Sequence, residues 1–213
     1  MKKIFYLRHG ESTANAGGIT LPNPEIPLTQ KGQQQAIAVS ELLPINPSNI
    51  ITSEFLRTKH TSKPYSEKYK ILSKSYCELN EFTAIDHSLM EGMIGKQREK
   101  IVDLYWKEAN PQKRFGEKAD TFEEFQYRVI DFKKILSNLE NGTVVFGHGI
   151  WLKLFIWNML GYYVEDSHSM TEFRKFQLGF LIPNCGVFEL NEVSNEKWFV
   201  QANQKINKEI INI

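Results

Sequence analysis

The chain has 213 residues, 41% of them hydrophobic and 24% charged, with 26 Lys+Arg against 25 Asp+Glu and a net charge of +1. That length and apolar share suit one globular domain over residues 1–213 with a substantial core. The near-neutral balance gives no basis for nucleic acid or a membrane as the main partner.

Lys3–Leu7 is predicted as a first strand buried on both faces, ending at Arg8-His9-Gly10, where the glycine lets the chain turn sharply. Asn15 to Pro27, rich in Gly, Pro and Asn, reads as loop. Thr29 is placed to cap a helix from about Lys31 to Leu43, ended by Pro44 and Pro47. A second strand follows at Asn49–Thr52, and Ser53 is expected to cap a helix carrying Glu54, Phe55, Leu56, Arg57 and Thr58. Ile71–Leu72 is read as the start of a third strand.

Cys77 to about Gly116 is the least regular stretch, cap-like, with a helix near Lys100–Glu108. Asp120 or Thr121 caps a long helix from Phe122 to Leu139, whose apolar residues recur at helical spacing. Asn141-Gly142 then turns the chain into a strand over Thr143–Phe146, followed by Gly147-His148-Gly149. Helices are expected at Ile150–Leu160 and about Thr171–Leu178, and strands at Gly186–Leu190 and Trp198–Gln201, with the end after Asn203 fraying. Strands alternating with helices imply an α/β fold with three α/β/α layers and a mostly parallel central sheet.

Cys77 and Cys185 lack CxxC spacing, and only four apolar residues separate Met1-Lys2-Lys3 from Arg8, too few for a signal sequence. Both cysteines therefore read as reduced thiols in a cytoplasmic protein. No window approaches the apolar length of a membrane span; Ile150–Leu160 carries Lys153 and Asn158.

Ligands in open α/β sheets bind outside the carboxyl ends of the strands. A histidine there can act as a nucleophile, and an adjacent guanidinium can grip a phosphate with its fork of donors. Two strand-end histidines point to covalent chemistry on a phosphate group. His9 is the candidate attacker and Arg8 its oxygen clamp, with Arg57 converging on the same sheet edge. His148 is placed to donate to the transferring group, Gly147 and Gly149 to leave room for it, and Asn15 to offer its amide. His60, His87 and His168 carry no supporting motif and read as surface or hydrogen-bonded side chains. Arg98 and Lys96 could reach a substrate from the cap-like region, or form a solvated basic patch. Trp151, Phe155 and Trp157 read as core. No HxxxH, HxH or carboxylate cluster suggests a metal, and no cofactor is implied.

Several motifs recur here in one family's order. Arg8-His9-Gly10-Glu11-Ser12-Thr13-Ala14-Asn15, Pro27-Leu28-Thr29-Gln30-Lys31-Gly32, Ser53-Glu54-Phe55-Leu56-Arg57-Thr58, Val145-Phe146-Gly147-His148-Gly149 and Pro183-Asn184-Cys185 together resemble the histidine phosphatase superfamily, the phosphoglycerate mutase-like family. The resemblance implies that fold, phosphorylation of His9, a phosphate pocket completed by Arg8, Arg57 and His148, and a glutamate serving as acid and base. Glu81, in Glu78-Leu79-Asn80-Glu81-Phe82, resembles the family's segment for that role, with Glu78 in reserve. The family's following "W-E-G" element has only Met90-Glu91-Gly92-Met93 as its counterpart, further away and without tryptophan.

The expected activity is metal-independent hydrolysis of a phosphomonoester on a small metabolite or a phosphoprotein, through phospho-His9. One rival is a phosphoglycerate mutase. Against it, mutases commonly carry an arginine after the acid glutamate, where this chain has Phe82. The other rival is an inactive module that binds phosphorylated ligands. Sugar phosphates, nucleotides, phosphorylated cofactor precursors and phosphoproteins all remain candidate substrates, and the oligomeric state is open.

Overall fold

A computed structural model describes residues 2–194 and 197–213; Met1, the first residue of the charged start read above, lies outside them. In chain order the elements are β1 (Lys3–Arg8), α1 (Gln30–Leu42), β2 (Ile50–Thr52), α2 (Leu56–Tyr69), β3 (Lys74–Ser75), α3 (Gly95–Glu108), α4 (Phe122–Asn138), β4 (Val144–Gly147), α5 (Gly149–Met159), α6 (Ser167–Gly179), β5 (Val187–Ser194), β6 (Lys197–Ala202) and α7 (Gln204–Ile211). The strands form one sheet in the order β3-β2-β4-β1-β5-β6. The first four run parallel, while β5 and β6 are antiparallel additions beyond β1.

Side chains alternate across a strand, and that period sorts the centre of the sheet into two cores. Ile4 and Tyr6 of β1 and Val145 of β4 face one core, with Phe122, Phe125 and Phe132 of α4, Trp151 and Phe155 of α5, and Phe173 of α6. Phe5 and Leu7 of β1 and Val144 and Phe146 of β4 face the other, with Val39 of α1, Tyr65 of α2, and Ile206 and Ile210 of α7. Helices thus cover both faces, giving the three α/β/α layers. Each fully buried large apolar side chain contributes roughly 1.5–3 kcal/mol of transfer free energy. The aromatic face is continuous: Tyr6 stacks on Trp151 at 5.4 Å between ring centroids, and Trp151 on Phe155 at 5.4 Å.

The helix starts follow their capping residues. Thr29 Oγ1 accepts from the Gly32 amide at 3.0 Å, and Thr121 with Glu124 forms a reciprocal capping box at the start of α4. Trp151 and Phe155 are buried as expected, and Trp157 packs half-buried against the same core.

Several expectations are corrected. Ser53 does not cap α2: Phe55 occupies that position without a side-chain bond. The third strand lies at Lys74–Ser75, after an exposed Leu72, because it pairs where β2 offers Ile51 and Thr52 as partners. The helix α3 begins at Gly95, with the Gln97 side chain taking the Ile94 amide, so the cap-like stretch is more regular than its composition suggests. α6 starts at Ser167, where Asp166 caps it. The end after Asn203 forms α7 instead of fraying: Asn203 caps it, and Ile206 and Ile210 are buried. No helix among the described residues is long and apolar enough to cross a membrane.

Candidate active site

Register brings the two histidines together. Arg8 of β1 pairs with Gly147 of β4, so the next residues, His9 and His148, leave the sheet side by side at its carboxyl edge. The His9 amide donates to the Gly147 carbonyl at 2.9 Å, extending the ladder by one bond. Their rings lie 5.3 Å apart, edge to face. β2, on the other side of β4, delivers Ser53 to the same edge, and its Oγ lies 2.7 Å from His148 Nε2.

His9 is 4% exposed and held in one tautomer by two contacts. Its Nδ1 lies 2.7 Å from the Gly10 carbonyl, which can only accept, so Nδ1 carries the proton. Its Nε2 accepts from Arg57 Nε at 3.2 Å, which requires an open lone pair there. Burial, then the Arg57 and Arg8 charges, hold the His9 pKa well below the ordinary histidine value. The imidazole is therefore neutral, with Nε2 as the free nitrogen. Burial and the same two arginines also depress His148, which is fully buried. Asn184 Nδ2 and the Cys185 amide both donate to the His9 carbonyl, fixing the backbone beneath the ring.

Arg57, second in α2 and 4% exposed, donates from Nη1 to the Asn23 carbonyl at 2.6 Å and from Nη2 to Asn23 Oδ1 at 3.0 Å. Burial pushes its pKa down to about 10, which leaves it charged. Arg8 Nη1 donates to the Ile182 carbonyl at 2.5 Å, while its Nε and the Nδ1 of His148 are buried without a partner among the described residues. An unpartnered guanidinium nitrogen on Arg8, in a site built of donors and cations, suits an anionic ligand.

Glu81 joins from the turn after Cys77–Leu79. Trp151 Nε1 donates to the Glu78 carbonyl at 2.8 Å, anchoring that turn on α5. The Glu81 carboxylate accepts from the amides of Ile150 (3.0 Å) and Trp151 (2.9 Å), the first turn of α5, and from its neighbour Phe82 (3.1 Å). Burial outweighs those donors and the Arg57 charge, so its pKa is raised above the ordinary glutamate value. Glu81 lines the cavity; Glu78, the reserve candidate, does not.

Arg8, His9, Asn15, Arg57, Glu81 and Gly149 all line one cavity of about 250 Å³, with Lys153 also contributing; His148, fully buried beside His9, is not among its lining residues. Asn15 Oδ1 accepts from Ser12 and from Asn184 Nδ2. A Cβ on Gly149 would stand 3.2 Å from Arg8 Nε, so the glycine lets the guanidinium lie along the start of α5. Gly147 differs from expectation. A Cβ there would meet Tyr6 Oη at 2.1 Å, so its missing side chain makes room for a tyrosine, not for a phosphate. Arg98 lines a second, larger cavity and ties α3 to the Gly18 and Met93 carbonyls, while Lys96 lines neither cavity. His60 and His168 are exposed, and His87 lies beside Asp86 at the larger cavity. Cys77 is exposed, Cys185 buried, and neither is bonded. Among the described residues, no three His, Cys, Asp or Glu side chains are grouped to hold a metal ion.

The sequence pattern of the histidine phosphatase superfamily (branch 1) matches residues 4–204. The chain belongs to that superfamily. The adenosylcobalamin/alpha-ribazole phosphatase of Salmonella typhi is 33% identical to it over 85 residues, 39% of this chain and 42% of that protein. The match thus spans less than half the length of that curated relative. The solved alpha-ribazole phosphatase of Shigella flexneri superposes with a TM-score of 0.72 at 20% identity, covering 94% of this chain and 95% of that one. The phosphoserine phosphatase of Entamoeba histolytica, solved with 3-phosphoglyceric acid, gives 0.71 at 20% identity over 95% and 97%. At that identity the likeness is one of fold, and it is the phosphoglycerate mutase-like fold.

Four residues of this superfamily member's site were not read from the sequence. Tyr6 Oη accepts from the His148 amide at 2.7 Å and donates to the His148 carbonyl at 3.0 Å, holding the second histidine's backbone from within the core. Ser53 positions the ring of His148, and Asn23 orients Arg57. Lys153 Nζ reaches the Gln177 carbonyl at 2.7 Å beside the cavity. Only Tyr6 left a trace, as the one side chain with a polar atom in the run Ile4–Leu7.

Proposed function

We propose that the protein is a phosphomonoester hydrolase working through a phosphohistidine intermediate on His9, with guanidiniums in place of a metal as the source of positive charge. His9 Nε2 attacks phosphorus, and the bond from phosphorus to the ester oxygen breaks. Arg8, Arg57 and His148 hold the non-bridging oxygens as charge moves onto them. Protonated Glu81 gives its proton to the departing alcohol. Water then attacks phospho-His9 and loses a proton to the Glu81 carboxylate. The phosphorus–nitrogen bond breaks, its electron pair returns to Nε2, and inorganic phosphate leaves. The Gly10 carbonyl accepts from Nδ1–H throughout, offsetting the positive charge of the phosphorylated ring.

The observation that carries this reading is the pinned tautomer of His9. A neutral imidazole with Nε2 open sits in one cavity with two guanidiniums and a carboxyl of raised pKa. The named phosphatases among its relatives favour hydrolysis of a small phosphorylated molecule as the class of reaction. Phosphate release and interconversion of the two monophosphoglycerates, measured in parallel, test it. Release without interconversion, abolished in His9→Ala, is expected. Interconversion exceeding release would make the protein a mutase, and phosphate binding without turnover an inactive module.

A further inference from the structure

The 250 Å³ cavity does not end at Glu81. Ala14, Asn23, Ile26 and Glu81 line it and also a second cavity of about 630 Å³, so the carboxylate stands where the two meet. We infer that the larger cavity seats the alcohol half of the substrate, and that this half is bulky with mainly apolar surface. The inference rests on the hydrolase reading above and names the substrate class of that same site.

Three observations point there. First, attack by His9 Nε2 expels the ester oxygen on the opposite side of phosphorus, where Glu81 must meet it to pass its proton, and Glu81 lines the larger cavity as well. Second, Leu21, Phe55, Phe82, Ile85, Met90 and Val102 line it, drawn from the loop after β1, the edge of β2 and the cap-like region. Its size is that of a pocket for an organic molecule of several rings, and a glycerate-sized group would leave most of it unfilled.

Third, much of its polar lining is already paired. Arg128 makes two bonds to Asp120, at 3.1 and 2.9 Å. Asn80 bonds the Glu54 amide and carboxylate, and Asn23 bonds Arg57 and Thr83. Lys118 is exposed, so water screens its charge. Arg98 is half-buried without a carboxylate partner among the described residues, and its Nη1 is spent on Gly18, Thr20 and Met93. Its remaining N–H groups offer one polar contact within an apolar enclosure.

The test compares ethyl phosphate, phosphoglycerate and naphthylethyl phosphate. Ethyl and naphthylethyl phosphate release the same kind of primary alcohol, so intrinsic reactivity cancels between them. Naphthylethyl phosphate is expected to exceed both in kcat/KM by about tenfold or more. Val102→Trp, which fills the cavity, is expected to cut the naphthylethyl-to-ethyl ratio about tenfold. Because both esters are measured on one preparation, the ratio does not depend on how much of the variant folds. An unchanged ratio in Val102→Trp, or phosphoglycerate as the better substrate of the unaltered protein, overturns the assignment. So does hydrolysis of p-nitrophenyl phosphate without hydrolysis of naphthylethyl phosphate. Failure on all four esters would instead sink the hydrolase reading and this inference with it.

Discussion

Two neutral imidazoles buried among arginines make stability depend on pH in a way that can be measured. Unfolded histidine titrates near 6.5, whereas burial and the Arg57 and Arg8 charges put both folded values well below it. The folded chain therefore binds fewer protons than the unfolded chain in this range. Each histidine's contribution to stability is full above pH 6.5 and is lost as pH falls toward its folded value. Between pH 7.5 and 5.5 an unfolded value of 6.5 sets a ceiling of about 1.4 kcal/mol on that loss per histidine. Glu81 acts in the opposite sense, since its raised pKa makes the folded state gain stability as pH falls through that value. Urea unfolding of the unaltered protein and of His9→Asn, in phosphate-free buffers at the two pH values, separates these terms. The change with pH should shrink in the variant, by up to about 1.4 kcal/mol, because one titrating group is gone. Equal pH dependence in the two proteins would refute the claim that His9 is buried in its neutral form.

Glu81→Gln keeps an acceptor for the amides of α5 but removes the proton, so kcat on alkyl phosphates should fall about 10²–10⁴-fold. Turnover of p-nitrophenyl phosphate, whose leaving group needs little protonation, should fall far less; equal losses would remove Glu81 from the acid role. Asn23→Ala deletes the Oδ1 acceptor of Arg57 and should lower kcat/KM on the order of tenfold, the worth of one charged hydrogen bond. Steady-state kinetics that match the unaltered enzyme would show that Arg57 holds its place alone. Gly147→Ala forces a methyl onto Tyr6 Oη and should cost about 1–3 kcal/mol, seen as a Tm lower by several degrees. An unchanged Tm would mean that the contact relaxes freely.

What the sequence disclosed depended on how local each signal is. His9 and His148 were legible because an apolar run, a histidine and a glycine are contiguous, and parallel pairing of two such runs brings their ends together. Thr29, and Thr121 as one of two candidates with Asp120, were legible for the same reason, as a cap acts within one turn. Ser53 was misread because its partner, His148, lies 95 residues away, and that distant contact replaced the local cap. Asn23 sits in a loop whose composition says only "turn", yet tertiary packing aims both its oxygens at Arg57. The end after Asn203 looked frayed on polarity, but Ile206 and Ile210 at helical spacing found a buried face that no local rule reveals. Gly147 carried the right identity with the wrong reason, because the atom it accommodates belongs to a strand more than a hundred residues earlier.

The most direct test of the account is to find where the phosphoryl group resides during turnover. Rapid mixing with a phosphomonoester, an alkaline quench and peptide mass spectrometry should yield an acid-labile phosphate on Nε2 of His9, formed in a burst before steady release. No phosphoenzyme during active turnover, or a phosphate on any other side chain, would contradict it.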